Sequence, residues 1–238
     1  MNEGATVASA VAFVVLTLLV VAAIVAGVGL ASRGIGEDAA TVRARVRSAI
    51  LVAVAWLGVT GGAAATGYLA HFDRLPPPLM ALVGATLVTT TTLALTGFGA
   101  RMAAGLSVPM LVGFQAFRLP LEILLHRLGV ENAIPPQMTW DGMNFDVVTG
   151  VTAIAVAALA AAGRAPRWLL LAWNALGLVL LWVIVTVAIL STPVPFRVFL
   201  NDPANTIITR APWVWLPTVL VQAAWFGHLV LARRLRAG

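Results

Sequence analysis

Seven apolar segments dominate the chain and predict an all-α protein that crosses a membrane. Each has about the 20 residues that a helix needs to span the hydrocarbon core of a bilayer. Polar, charged or proline-containing residues separate them. We therefore expect one transmembrane domain over residues 1–238, a seven-helix bundle with helices at 7–31, 49–70, 79–100, 102–128, 143–162, 168–190 and 212–231.

The composition agrees with this interpretation. The chain of 238 residues is 61% hydrophobic and only 10% charged, whereas soluble domains carry about 25% charged residues. All 15 basic residues are Arg. An Ala- and Arg-rich chain without Lys is typical of GC-rich coding, and this indicates a bacterial protein of the inner membrane.

The distribution of Arg predicts the orientation of the bundle. Basic residues concentrate in the cytoplasmic segments of membrane proteins. With the N-terminus outside and the C-terminus in the cytoplasm, the cytoplasmic segments hold ten arginines: Arg33, Arg43, Arg45, Arg47, Arg101, Arg164, Arg167, Arg233, Arg234 and Arg236. The opposite side and its helix ends hold five: Arg74, Arg118, Arg127, Arg197 and Arg210.

Several function classes are excluded by residues that the chain lacks. Without Lys it cannot form a retinal Schiff base, and without Cys it cannot form thiolate metal sites. The net charge of +6 comes from basic residues between the apolar segments, where they set the membrane topology. We therefore expect no nucleic acid partner. His71 and His126 are placed at the outer face, and His228 is placed about 24 Å into the last helix, near the cytoplasm. We therefore expect no shared haem or zinc site, no other metal and no cofactor.

One polar stripe stands out in the fourth predicted helix. Gln115, Arg118, Glu122 and His126 fall on one face at 100° per residue. Arg118 would lie about 15 Å deep, paired with Glu122 at i,i+4, and Pro120 would open the helix between them. The stripe is either a buried ion pair that fixes helix packing or a site for a ligand, an ion or a proton, open to the outer side.

Two further segments could complete such a site. Asn144 and Asp146 lie in the first turn of the fifth predicted helix, where they either cap the helix or face Arg118 and Glu122. Asp202-Pro203 predicts a short surface helix in the long connection 191–211. In the functional interpretation this connection is a lid over an anion pocket centred on Arg118; the residues assigned to the lid are Arg197, Asp202 and Arg210.

Three segments, 117–122, 136–146 and 202–206, resemble those of a family of bacterial integral membrane proteins that has no assigned activity. In that family a helix with a similar Arg and Glu precedes an MT-x-x-G-x-NFD-like segment. The resemblance covers about residues 117–228. It implies a membrane architecture in which Arg118, Glu122, Asn144 and Asp146 act together, and it implies no mechanism.

Three functions remain open. The first is non-enzymatic binding or passage of a small solute, an ion or a proton through a polar cavity on the outer side. The second is a membrane-embedded enzyme acting on a lipid or small amphiphile, with Glu122, His126 or Asp146 as acid or base. The third is a structural membrane subunit for a partner protein. The expected partners are membrane lipid, a small-molecule or ion ligand, and a membrane protein or second copy of the chain.

Overall fold

The computed structural model describes residues 5–237, and the regular secondary structure within them is entirely helical. The helices are α1 (Val7–Gly34), α2 (Ala39–Ala65), α3 (Pro78–Leu95), α4 (Gly97–Gly105), α5 (Val108–Phe114), α6 (Arg118–Val130), α7 (Val147–Ala161), α8 (Arg167–Leu190) and α9 (Val221–Ala237). Five segments are long and apolar enough to cross a membrane: α1, α2, α3, α8 and the continuous stretch Val108–Val130. The predicted all-α class is confirmed, and five of the seven predicted crossings correspond to segments that qualify by length and apolarity.

The two ends of the bundle are each marked by a glutamate. At one end, called the Glu131 end, Glu131 follows α6 and accepts hydrogen bonds from the backbone of Thr6 and the hydroxyl of Ser9 at the start of α1. At the other, called the Glu37 end, Glu37 lies between α1 and α2 and pairs with Arg45 at 2.6 Å. Helix α1 runs from the Glu131 end to the Glu37 end. Each long helix that follows crosses the bundle in the direction opposite to the one before it.

Helix α2 begins at Ala39, ten residues before the predicted start at 49. Asp38 caps it by accepting hydrogen bonds from the backbone of Ala40 and Thr41 at 2.8 and 3.0 Å. This cap satisfies backbone donors that a helix start otherwise leaves free. Arg43 therefore lies within the helix, and the connection from α1 shrinks to residues 35–38.

Helix α4 was not predicted. It takes the place of the end of the third predicted helix and the start of the fourth. The chain breaks at Thr96 and resumes its path across the bundle only at Val108. Gly105, at the end of α4, lies against the backbone carbonyl of Ala31, where a side chain would clash. This close approach holds α4 against the last turns of α1 at the Glu37 end.

The connection after α8 also differs from the prediction. No helix starts at Asp202; residues 202–206 are irregular backbone with bends, followed by a single 3-10 turn at Ile207–Thr209. The last helix starts after a π-helical turn, Leu216–Leu220, rather than at residue 212.

Two apolar clusters fill the bundle, one in each half. Along α9, Leu220 belongs to the cluster of the Glu131 half and Leu231 to that of the Glu37 half. His228, between them in sequence, is fully buried. Arg118 separates the same two clusters along Val108–Val130, because Val112 belongs to one and Leu121 to the other. A buried polar layer therefore divides the core.

Candidate functional site

Arg118 is the centre of the polar layer and is 1% exposed. Its Nε donates to Oδ2 of Asp146 at 2.6 Å and its Nη2 donates to Oδ1 of the same carboxylate. Both terminal nitrogens lie 3.4 Å from the backbone oxygen of Gly177. Because a guanidinium has five donors and this fork uses most of them, Arg118 is held rigidly by its protein partners.

His228 completes the contacts of Arg118 and is itself oriented by Asn174. Its Nε2 lies 2.9 Å from Nη1 of Arg118, and its Nδ1 lies 2.9 Å from Oδ1 of Asn174. Arg offers only donors, so Nε2 is the acceptor and Nδ1 carries the hydrogen. His228 is therefore a neutral imidazole in one fixed tautomer.

This position corrects the predicted depth of His228. We expected it near the cytoplasmic surface because the count began at Pro212. The helical turns begin instead at Leu216, which places His228 about 18 Å from that start. Arg118 is about as far from Val130, where α6 ends at the same end of the bundle. The two residues are thus level with each other.

Asp146 reaches Arg118 because the chain descends beside α6 before α7 begins. Thr139 contacts Gly129, Asn144 binds Glu122, and Asp146 binds Arg118. As the chain advances from Thr139 to Asp146, its partners move back along α6 from Gly129 to Arg118, a distance of about 16 Å along the helix axis. Non-helical backbone at such depth is tolerated in a membrane only where protein buries it, and Asn144 and Asp146 are 0% and 3% exposed.

Glu122 is held by Asn144, whereas the sequence predicted a pair with Arg118. The side-chain nitrogen of Asn144 donates to Oε2 of Glu122 at 2.5 Å and to the backbone oxygen of Met138 at 3.1 Å. Its oxygen accepts from the backbone of Asp146 at 3.1 Å. These three bonds fix the orientation of the amide. The i,i+4 spacing was correct, but Asp146 supplies the better-placed carboxylate for Arg118.

The other two residues of the predicted stripe lie apart from this site. Gln115 is buried in the 3-10 turn Gln115–Phe117, where its Nε2 donates to the backbone oxygen of Ala224 at 3.1 Å. The turn precedes Pro120, whose missing N–H weakens the helix there. His126 stacks on Trp140 with ring centroids 4.2 Å apart, and its Nδ1 lies 3.2 Å from Asp141. It belongs to the Glu131 end.

Three residues of the polar layer were missed by the sequence analysis. Asn174 is the single Asn within the apolar helix α8, and a polar residue in that setting was a usable signal. Thr149 lies 3.5 Å from Oδ1 of Asp146. Gly177 has no sequence signal, yet a side chain there would overlap the ring of His228.

A cavity opens above this cluster in the Glu131 half of the bundle. Arg118, Glu122 and Asp146 line its base, and apolar residues of α3, α6, α8 and α9 line most of the remainder. The cavity measures about 80 Å³. A base of charged groups under apolar walls suits a molecule with one polar end.

The cover of the cavity comes from the predicted connection but from different residues. Thr192, Asn205 and Ile208 line the cavity. Arg197 donates instead to the backbone oxygens of Phe199 and Asn201 at 2.7 Å. The other two residues assigned to the lid, Asp202 and Arg210, are exposed on the surface.

No protein family, curated protein or solved structure matches the chain. The resemblance noted above therefore stays a prediction. Within residues 5–237, no group of three or more His, Asp and Glu side chains is arranged to hold a metal ion. The geometry of the cavity and its charged base carries the functional argument that follows.

Proposed function

We propose that this chain is a bacterial inner-membrane protein whose cavity binds one small, largely apolar molecule that arrives from the outer side. The observation that carries the proposal is the cavity itself. Ligand sites are concave and mostly apolar, with a few fixed polar groups. Here Arg118, Glu122 and Asp146 supply the polar groups, and their hydrogen bonds hold them in place before any ligand binds.

The proposal includes seven crossings, with the Glu131 end outside. Five segments qualify by length and apolarity. Helix α7 has only 15 residues, but the descending segment 139–146 adds the missing length. Helix α9 is buried among α3, α4, α5 and α8, so it needs no apolar surface toward lipid. The excess of Arg at the Glu37 end supports the cytoplasmic assignment of that end.

Binding is favoured over passage because, within residues 5–237, a packed apolar cluster lies on the far side of the polar layer from the cavity. Beyond the polar layer, the apolar cluster that includes Val112, Ala153 and Leu231 closes the Glu37 half. Each of these three residues is 0% exposed. A solute or ion would have to displace this packed layer, and packed cores resist such deformation.

Binding is also favoured over catalysis. Among the acid and base candidates, Glu122 and Asp146 line the cavity, but His126 stacks on Trp140 at the Glu131 end. Asp146 is committed to Arg118 through both oxygens. A general acid or base must reach the proton that it transfers, and these arrangements leave no acid–base pair facing the cavity.

The test is a ligand screen that compares the wild-type protein with a variant whose cavity is filled by a larger side chain. Ala188 lines the cavity, so Ala188→Phe should occupy its volume. Ala175 is exposed on the same helix, and Ala175→Phe is the matched control. The purified variants are heated with a panel of small apolar and amphipathic compounds. A ligand at 100 times its Kd should stabilise the folded state by about 2.7 kcal/mol, roughly 5–10 °C for a chain of this size.

We expect at least one compound to raise the Tm of the wild type and of Ala175→Phe, with the shift abolished in Ala188→Phe. If no compound raises the Tm of the wild type, the binding proposal fails. If Ala188→Phe responds as the wild type does, the compounds bind elsewhere and the cavity is not the site.

A further inference from the structure

The charged base of the cavity contains one more carboxylate than cation. Arg118 carries the single positive charge, because His228 is held as a neutral acceptor. Asp146 takes up the guanidinium of Arg118 through both of its oxygens. Glu122 is therefore left over, in a position that is 2% exposed. A buried charge without a counter-charge is costly.

Glu122 also presents an unused acceptor to the cavity. Its Oε2 accepts from Asn144, and the bonds of Asn144 to Met138 and Asp146 prevent the amide from turning its oxygen toward the carboxylate. Among the residues that the structure describes, no hydrogen bond reaches Oε1. Glu122 lines the cavity, so a donor on a bound molecule could complete its coordination.

The surroundings of Glu122 select the kind of cation. Metal cations such as Ca²⁺ and Mg²⁺ require about six or more oxygen ligands, and the cavity offers few beyond Glu122, Thr192 and Asn205. The walls are mostly apolar and include the aromatic ring of Phe117. An ammonium group on an apolar body matches both, since it donates to a carboxylate and is attracted to aromatic rings.

An anion, as the sequence first suggested, fits less well. The guanidinium of Arg118 already donates to Asp146, Gly177 and His228. An incoming carboxylate or phosphate would have to displace Asp146 and approach Glu122, whose oxygens are acceptors like those of the anion. We therefore propose that the cavity binds an organic ammonium, a protonated amine with a short apolar body, whose nitrogen donates to Oε1 of Glu122.

This inference rests on the proposed binding function and names the class of its ligand. The experiment compares three probes with the same chain: hexylamine, hexanol and hexanoate. Each is titrated calorimetrically into the full-length protein in nanodiscs of zwitterionic lipid, and the heat from empty nanodiscs is subtracted. The key variant is Glu122→Gln, which keeps an oxygen that can accept from Asn144. The control is Asp73→Asn, an exposed carboxylate outside the cavity.

We expect hexylamine to bind the wild type about tenfold or more tightly than hexanol, and hexanoate to bind most weakly. Glu122→Gln should lose this preference, and Asp73→Asn should keep it. If hexanol binds as tightly as hexylamine, or if Glu122→Gln keeps the preference, the ammonium proposal is overturned while the binding function stands. Preference for hexanoate would also overturn it. If none of the probes binds the wild type, this proposal fails, and the wider ligand screen decides whether the binding function falls with it.

Discussion

Arg118 and Asp146 form a bidentate ion pair in the middle of the bundle, although they lie 28 positions apart, Arg118 at the start of α6 and Asp146 just before α7. The pair joins α6 to the start of α7. It is almost completely buried, with the side chains 1% and 5% exposed. The alignment of the descending segment 139–146 with α6 thus depends on this contact and on the bond between Asn144 and Glu122.

The first prediction concerns the energy of this pair. Asp146→Leu should destabilise the protein by about 3–5 kcal/mol because the guanidinium of Arg118 stays buried without the carboxylate that accepts two of its hydrogen bonds. Arg118→Met should cost a similar amount for the converse reason. The double variant should be more stable than the sum of the two effects predicts, by about 2 kcal/mol or more. Unfolding in micelles with increasing denaturing detergent measures all three, and simple additivity would contradict the pairing.

The second prediction concerns the close contact of α8 and α9. At Gly177 a new Cβ would overlap the ring of His228 and lie 3.1 Å from Thr149. Gly177→Ala should therefore destabilise the protein by about 1–3 kcal/mol. Gly84→Ala is the matched control, because a Cβ at that helical position contacts nothing; it should be neutral or stabilising by up to about 1 kcal/mol. Equal effects in the same unfolding assay would show that the contact is unimportant.

The all-α class and part of the geometry of the candidate site could be predicted from the sequence. Apolar runs predicted the five segments that are long and apolar enough to cross a membrane, because lipid exposure requires about 20 apolar residues. The helical period placed Arg118 and Glu122 on one face, and the structure links both to Asn144 and Asp146. These features are local, so a single sequence contains them.

The remaining features depend on tertiary contacts that no local pattern records. The pairing of Arg118 with Asp146 requires the chain to descend beside α6. The depth of His228 depends on where the last helix begins, and the π-helical turn at Leu216–Leu220 moves that start. Helix α4 forms because the chain after Thr96 folds against α1, although its residues read as the ends of two longer helices.

The third prediction concerns orientation. If the Glu37 end faces the cytoplasm, the C-terminus is cytoplasmic, because α9 runs from the Glu131 end to the Glu37 end. A fluorescent protein fused after Gly238 should be active, and alkaline phosphatase fused there should be inactive. The same reporters fused after Asn132, at the Glu131 end, should give the opposite result and serve as the control. Strong phosphatase activity at Gly238 would reject the proposed topology.

The last prediction concerns Glu131, which fastens the start of α1 to the end of α6. Partial burial alone raises the pKa of its carboxyl, but hydrogen bonds from the backbone and hydroxyl of Thr6, from Arg127 and from Ser9 outweigh it and lower the pKa to about 2. The folded pKa is below the unfolded value of about 4.3. Glu131 therefore stabilises the protein above the unfolded pKa, and this contribution is lost as the pH falls toward 2.

Glu131→Gln should cost about 1–2 kcal/mol near neutral pH, a figure reduced for partial solvent screening. The difference in unfolding free energy between wild type and variant should shrink as the pH falls from about 4.5 to about 2. Other carboxyl groups titrate in both proteins, so this difference isolates Glu131. Ser9→Ala, which removes one of its donors at 2.8 Å, should give a smaller loss with the same pH trend. A difference that stays constant over that range would show that the carboxylate of Glu131 does not hold α1 in place.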